Sequence, residues 1–277
     1  MAYEGIVMAI EKKTMHTNLI AYDEHENFTL EDNVDSYKIE KLKSAQKNVD
    51  FVKRHFKGPI NVLEVGSGNS KFLYSLFFEG LLKNGYGIEI SESRFNFANK
   101  WKKQLGAESI TNFNENALTF NISKIPQIDL IYCVDLAFQF FEPVKNECDI
   151  HLLSKYYDHL NDGGKIILEL DCHHRLLSNM KNNQIKTWQE LNEPDPWKYL
   201  LWDCHYNMTK KHLKMNKTFI NRSLAEESKS SVILKNYERN DIINMLKKIG
   251  FKDINIYENW QLSDDTLADE FIVVGSK

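Results

Sequence analysis

The chain has 277 residues, 42% hydrophobic and 27% charged, with a net charge of −4. That length can bury a full core, as one large domain or as a domain with an insertion. With no long basic stripe it argues against nucleic acid as a substrate, and no apolar run reaches membrane-spanning length. Gly5–Ile10 is likewise too short for a signal-peptide core. Four cysteines (Cys133, Cys148, Cys172, Cys204) lie far apart without a CxxC pair. They read as reduced thiols in a cytoplasmic protein.

Residues 1–37 have no strong period and read as an N-terminal arm or lid, with His16, Tyr22 and His25 in reach of a site if it folds over. From Ile39 the apolar residues Leu42, Val49, Val52 and Phe56 fall at helical spacing, and Gly58-Pro59 stops the helix. Asn61–Gly80 then organises the rest. A short apolar strand runs into Gly66-Ser67-Gly68, and a helix follows with Phe72, Leu73, Leu76 and Phe77 on one face. A glycine turn between a buried strand and a helix N-terminus offers backbone N–H groups and no obstructing side chains, so it is a ligand site. A dinucleotide fold would place a third glycine where this chain has Lys71. Gly85–Ile90 is a second strand ending in Glu89 and Ile90. Glu89 follows Gly68 at roughly the 20-residue distance at which nucleotide folds place the acid that accepts ribose hydroxyls.

Glu64, one apolar residue, then Gly66-Ser67-Gly68 resembles motif I of the class I S-adenosylmethionine-dependent methyltransferases. The resemblance covers about residues 40–170 and 237–277. It implies an α/β, Rossmann-like sheet of seven mostly parallel strands, with helices on both faces and an antiparallel last strand. It also implies S-adenosylmethionine as cofactor, released as S-adenosylhomocysteine. Glu64, Gly66, Ser67, Gly68 and Asn69 would form the cofactor turn, with Glu89 and Ile90 beside it. Ser91–Leu105 is the next helix and Ser109–Phe113 the third strand. After it, Asn116-Ala117 stands where the family has an acid and a small apolar residue against adenine; an Asn oxygen can accept the same hydrogen bond. Ile128–Val134 is a near-continuous apolar strand of the kind buried on both faces. It carries Cys133 and leads to Asp135, Phe138 and Gln139, candidates to wall the methionine part or the acceptor. A helix over Asn146–Leu160, a turn at Asn161–Gly164 and a fifth strand ending at Asp171 follow. Asn240–Ile249 is the last helix, before two closing strands.

Residues 175–236 interrupt this pattern within a domain of residues 38–277. Pro194 and Pro196 break any helix there, and Trp202–Met208, Leu213–Asn221 and Ser230–Tyr237 read as strands of a small β-rich flap. A flap can supply substrate contacts and exclude water; surface strands or a dimer contact are the plainer reading. Methyl transfer from a sulfonium is an in-line displacement that depends on alignment, and a hydroxyl acceptor also needs a base. His173, after the fifth strand, is the first candidate base; His205 on the flap and Asp135 follow. Asp264-Asp265 is read as a solvated turn, and no metal is expected.

The expected function is methyl transfer to a small polar metabolite. The narrower resemblance, to bacterial methyltransferases of surface polysaccharides and natural products, favours O-methylation of a nucleotide-linked or otherwise activated sugar, as in capsular polysaccharide biosynthesis. N-methylation of an amino sugar or small amine is the alternative, and a non-catalytic methyltransferase-like partner protein is the reading from another class. A small-molecule substrate, no nucleic acid, no membrane and a homodimer complete the expected partners.

Overall fold

The computed structural model describes residues 34–192, 197–260 and 269–277. The arm histidines, Pro194, Pro196 and the Asp264-Asp265 pair lie outside these residues. The described chain forms two compact units. The larger comprises 35–138, 147–172 and 237–277, and the smaller 139–146 and 173–236.

The larger unit is one seven-stranded sheet with helices. Its strands are β1 (Ile60–Val65), β2 (Leu82–Glu89), β3 (Ile110–Asn114), β4 (Ile128–Cys133), β5 (Leu160–Asp171), β10 (Lys252–Tyr257) and β11 (Glu270–Ser276). They lie in the order β10-β11-β5-β4-β1-β2-β3. Every pairing is parallel except those of β11, which runs antiparallel to β5 and β10. The helices are α1 (Val34–His55), α2 (Lys71–Phe78), α3 (Glu92–Leu105), α4 (Cys148–His159) and α6 (Arg239–Ile249). Six mutually parallel strands in this order, with the last strand reversed, match the expected fold. Val34–Tyr37, read from sequence as the end of the arm, are instead the first turn of α1.

Apolar runs buried on both faces set the middle of the sheet. Val62, Leu63, Leu130, Ile131, Ile166 and Ile167 are all fully buried. Each such side chain contributes roughly 1.5–3 kcal/mol through removal from water. Aromatic contacts then fix α2. Phe72 stacks on Tyr132 of β4 with centroids 3.7 Å apart. The Tyr74 hydroxyl donates to the Ala98 carbonyl at 2.6 Å, tying α2 to α3. Ser91 caps α3 by accepting the Arg94 N–H, and Gly106 ends it in the left-handed region. The turn predicted at Asn161–Gly164 is a bulge inside β5. Ile128 pairs with Leu160 but Leu130 with Lys165, and Gly163 takes up the excess chain at φ +76°.

The smaller unit is a four-stranded antiparallel meander: β6 (Gln184–Glu190), β7 (Trp197–Asn207), β8 (His212–Asn221) and β9 (Glu227–Lys235), in chain order, preceded by the short helix α5 (His174–Ser178). The sequence predicts three strands here. β6 escaped because QIKTWQE is polar on both faces, and its last five residues are exposed. β7 starts earlier and β9 ends earlier than predicted.

Candidate functional site

The turn between β1 and α2 is built by backbone hydrogen bonds. Gly66 and Ser67 both donate to the Ile88 carbonyl of β2, at 2.9 and 3.0 Å. Gly66 has φ +72° and Gly68 φ +55°, which favour glycine. A Cβ on Gly66 would come within 2.9 Å of Ala137 Cβ, so the segment after β4 closes directly onto the turn. Gly87 is required as well: a Cβ there would meet Ser67 Oγ and Asn112 Oδ1 at 2.7 Å. Sequence reading passed over it, although it sits beside Glu89 in GYGIEI.

Glu89 holds the turn from β2. One carboxylate oxygen accepts the Gly68 N–H and the other the Ser91 N–H, both at 2.7 Å. A carboxylate accepts up to about four hydrogen bonds, so this duty is compatible with accepting ribose hydroxyls. Asn69 is buried and anchored, its amide donating to the Tyr37 hydroxyl at 3.0 Å and its oxygen accepting the Lys71 N–H. Ile90, next to Glu89 at the C-terminal end of β2, is 37% exposed.

Among the described residues, two polar atoms beside the turn lack partners. Glu64 is fully buried and its Oε2 has no hydrogen bond; Ser67 Oγ is buried and likewise unpaired. Burial pushes the Glu64 carboxyl well above the usual range, partly offset by Lys71 and reinforced by Asp135 and Glu89. An unsatisfied buried polar group costs about 1–3 kcal/mol, so two at one turn ask for a ligand. Acidic side chains and a buried hydroxyl beside a glycine turn suit a cofactor that carries a sulfonium, an ammonium and ribose hydroxyls.

Beyond β4 the backbone is held in the left-handed region at Asp135 (φ 54°) and Leu136 (φ 63°). The Asp135 N–H donates to Glu169 Oε2 at 2.7 Å, and Glu169 Oε1 accepts the Trp260 indole N–H at 2.5 Å. The Asp135 carboxylate is exposed, 3.4 Å from Lys71 Nζ. Burial pushes the Glu169 carboxyl up to about 7, with Glu270 and Asp135 adding to the rise and its two hydrogen bonds opposing it. Sequence reading missed Glu169; the one signal was an acid inside the otherwise apolar run KIILEL.

The remaining candidates divide. Cys133 and Phe138 are packed in the interior: burial raises the Cys133 thiol strongly, and Phe138 lies 5.5 Å from the Tyr237 ring. The Asn116 oxygen accepts the Leu118 N–H at 3.0 Å, and the buried Ala117 offers its carbonyl to Lys155 Nζ. His173 and His205 belong to the smaller unit. His173 is buried at the start of α5 in the left-handed region, with Nδ1 3.3 Å from Asn236 Oδ1. His205 is half-buried on β7, its Nε2 3.0 Å from Asp203 Oδ1. Among the described residues no group of three or more His, Cys, Asp or Glu is placed to hold a metal ion, and no helix is long and apolar enough to cross a membrane.

Solved structures share this architecture. The CcbJ methyltransferase of Streptomyces caelestis aligns over 83% of this chain and 88% of its own, with TM-score 0.72 and 12% identity. The fold is that of the S-adenosylmethionine-dependent methyltransferases. An amino pentose methyltransferase of Micromonospora echinaspora, solved with S-adenosylmethionine bound, aligns over 85% of this chain and 91% of its own, with TM-score 0.61 and 14% identity. By sequence, the carboxy-S-adenosyl-L-methionine synthase of Nautilia profundicola is 24% identical over 212 residues, 76% of this chain and 78% of that protein. No protein-family model matches the chain.

Proposed function

We propose that the protein binds S-adenosylmethionine at the Gly66–Asn69 turn and transfers its methyl group to a small polar metabolite, releasing S-adenosylhomocysteine. The observation that carries this is the turn itself. In a methyltransferase sheet, Glu89 holds the Gly68 N–H while the buried Glu64 Oε2 stands without a partner. When bound, the cofactor supplies an electrophilic methyl group. The chain's part is to hold it: the turn accepts the close approach, Glu89 takes the ribose, and Ile90 offers an apolar surface to the base. Ser67, Asn116 and Ala117 complete the proposed cofactor set, with Cys133 and Phe138 acting as packing behind it.

The acceptor we favour is a nucleotide-linked or otherwise activated sugar, methylated on oxygen, in a route to surface polysaccharide. A hydroxyl acceptor needs a base. Of the three candidates Asp135 is the one at the C-terminal end of β4, in the sheet that carries the turn; His173 and His205 remain candidates from the smaller unit. The amino pentose methyltransferase favours a second reading, N-methylation, which needs no base because the amine has only to arrive unprotonated. The carboxy-S-adenosylmethionine synthase adds a further product to look for.

The test is S-adenosylhomocysteine release with nucleotide-linked sugars, amino sugars and small amines, with and without a chelator. Mass spectrometry of the products would detect any modified S-adenosylmethionine. A neutral-sugar hit that Asp135→Asn slows at least tenfold supports O-methylation. A hit on amines alone, unaffected by Asp135→Asn, His173→Gln and His205→Gln, moves the chemistry to nitrogen.

A further inference from the structure

The two faces of the inserted sheet differ sharply. The register pairs Thr187 with Trp202, Trp202 with Lys217, and Lys217 with Ser230, so one row across all four strands carries these side chains on one face. Of the neighbouring rows of that face, one is apolar throughout (Ile185, Cys204, Met215 and Val232), and the other sets Leu200 and Phe219 between the uncharged polar Gln189 and Ser228. Among the ladder-paired positions of the described strands, Lys217 is the single charged side chain on this face. The opposite face holds Lys186, Asp203, His205 and Lys214, where charges have each other and water.

Lys217 has no carboxylate or hydrogen-bond partner among the described residues. Its Nζ lies 4.6 Å from the centroid of the Trp202 ring, and burial lowers its pKa from the usual lysine range. Directly across the ladder, Ser230 is 9% exposed and its Oγ is buried without a hydrogen bond. An unpaired ammonium and an unpaired hydroxyl on directly paired positions are costly side by side unless something joins them. Directly opposed residues in a sheet have Cβ atoms about 4.5–5.5 Å apart, so one small anion can meet both. Both can donate; no acid on this face competes.

We propose that Lys217 and Ser230 form an oxyanion site on the inserted sheet, taking a phosphate or carboxylate whose ring-bearing body rests on Trp202. Lys217 supplies a charge-assisted hydrogen bond, Ser230 a second donor, and the indole an apolar surface for the rest of the ligand. The site stands on the smaller unit alone.

The experiment uses the full chain and two probes, phenyl phosphate and phenylacetate, titrated at low salt by calorimetry and by tryptophan fluorescence. At least one probe should bind the wild type. Lys217→Met should weaken that binding at least tenfold and Ser230→Ala several-fold, while Lys217→Arg retains it. Lys217→Met should also melt at or above the wild-type temperature, because it removes a desolvated charge from an apolar face; the binding loss then cannot come from misfolding. Which probe binds separates phosphate from carboxylate. Gly66→Val, which should lose S-adenosylhomocysteine, should keep the probe, so failure of the cofactor reading is visible separately. Absence of binding by either probe, or binding unchanged in Lys217→Met, overturns the site.

Discussion

The two units differ in the ionisable groups set beside their candidate sites. In the larger one the buried ionisable groups at strand ends are carboxylates: Glu64 on β1, Glu89 on β2 and Glu169 on β5. In the inserted sheet the half-buried ionisable group on the apolar face is an ammonium, Lys217, while its acid Asp203 sits on the exposed face with Lys186 and His205. Charged groups are buried against a cost unless they are paired or neutralised. On the proposed reading, the sheet with the glycine turn receives a cationic, hydroxyl-rich ligand. The inserted sheet is built to receive an anion.

That contrast can be broken at several points, and the largest effect belongs to the turn. Gly66→Val forces a Cβ to within 2.9 Å of Ala137 at a positive φ and fills the approach to the backbone. S-adenosylhomocysteine binding measured by calorimetry should fall by about 1,000-fold or more, on the order of 4 kcal/mol.

Next comes pH. The Glu169 carboxyl is raised from 4.5 to about 7 in the folded protein. Between these values the folded state keeps a proton that the unfolded chain has released. Its contribution is therefore full below 4.5 and is lost as pH rises through 7. The size is about 3 kcal/mol, from the shift alone. Urea unfolding at pH 5 and pH 8 should show this decline, with a shallower slope in Glu169→Gln. A slope unchanged by the substitution would mean that Glu169 is not the group responsible.

Smaller again is Glu89→Ala, which leaves the Gly68 and Ser91 N–H groups without their carboxylate and should weaken S-adenosylhomocysteine binding by roughly 10–100-fold. Glu64→Gln should cost only a few-fold, and it should cost S-adenosylmethionine more than S-adenosylhomocysteine, since only the former carries the sulfonium charge. At the low end, Asp203→Asn on the exposed face should leave the melting temperature of the protein unchanged, since surface ion pairs contribute little. A large drop there would erase the distinction between the two faces.

Most of the larger unit was legible because its elements are local. β1, the turn and α2 are contiguous, and strand periodicity and glycine punctuation mark them directly. The same holds for Glu89, whose position follows from spacing. What escaped depends on register or on distant partners. Glu169 reads as one acid in an apolar strand until Trp260 and Asp135 are seen to donate to it. The Asn161–Gly164 bulge is invisible without the pairing to β4. In the inserted sheet, Trp202, Lys217 and Ser230 lie on three strands, and only the ladder makes them neighbours. β6 was missed for a related reason: an edge strand exposed along most of its length carries no apolar period to detect. The histidines illustrate the converse. Chain position made His173 and His205 attractive, but the folded chain gives His173 a buried seat against Asn236 and His205 a half-buried pair with Asp203.

The central claim is that the Gly66–Asn69 turn holds S-adenosylmethionine. The most direct measurement is calorimetric titration of the purified full chain with S-adenosylhomocysteine, set beside NAD and repeated on Gly66→Val. The account predicts one S-adenosylhomocysteine per chain, no NAD, and loss of binding in the variant. Binding of NAD, or S-adenosylhomocysteine binding that survives Gly66→Val, would contradict it.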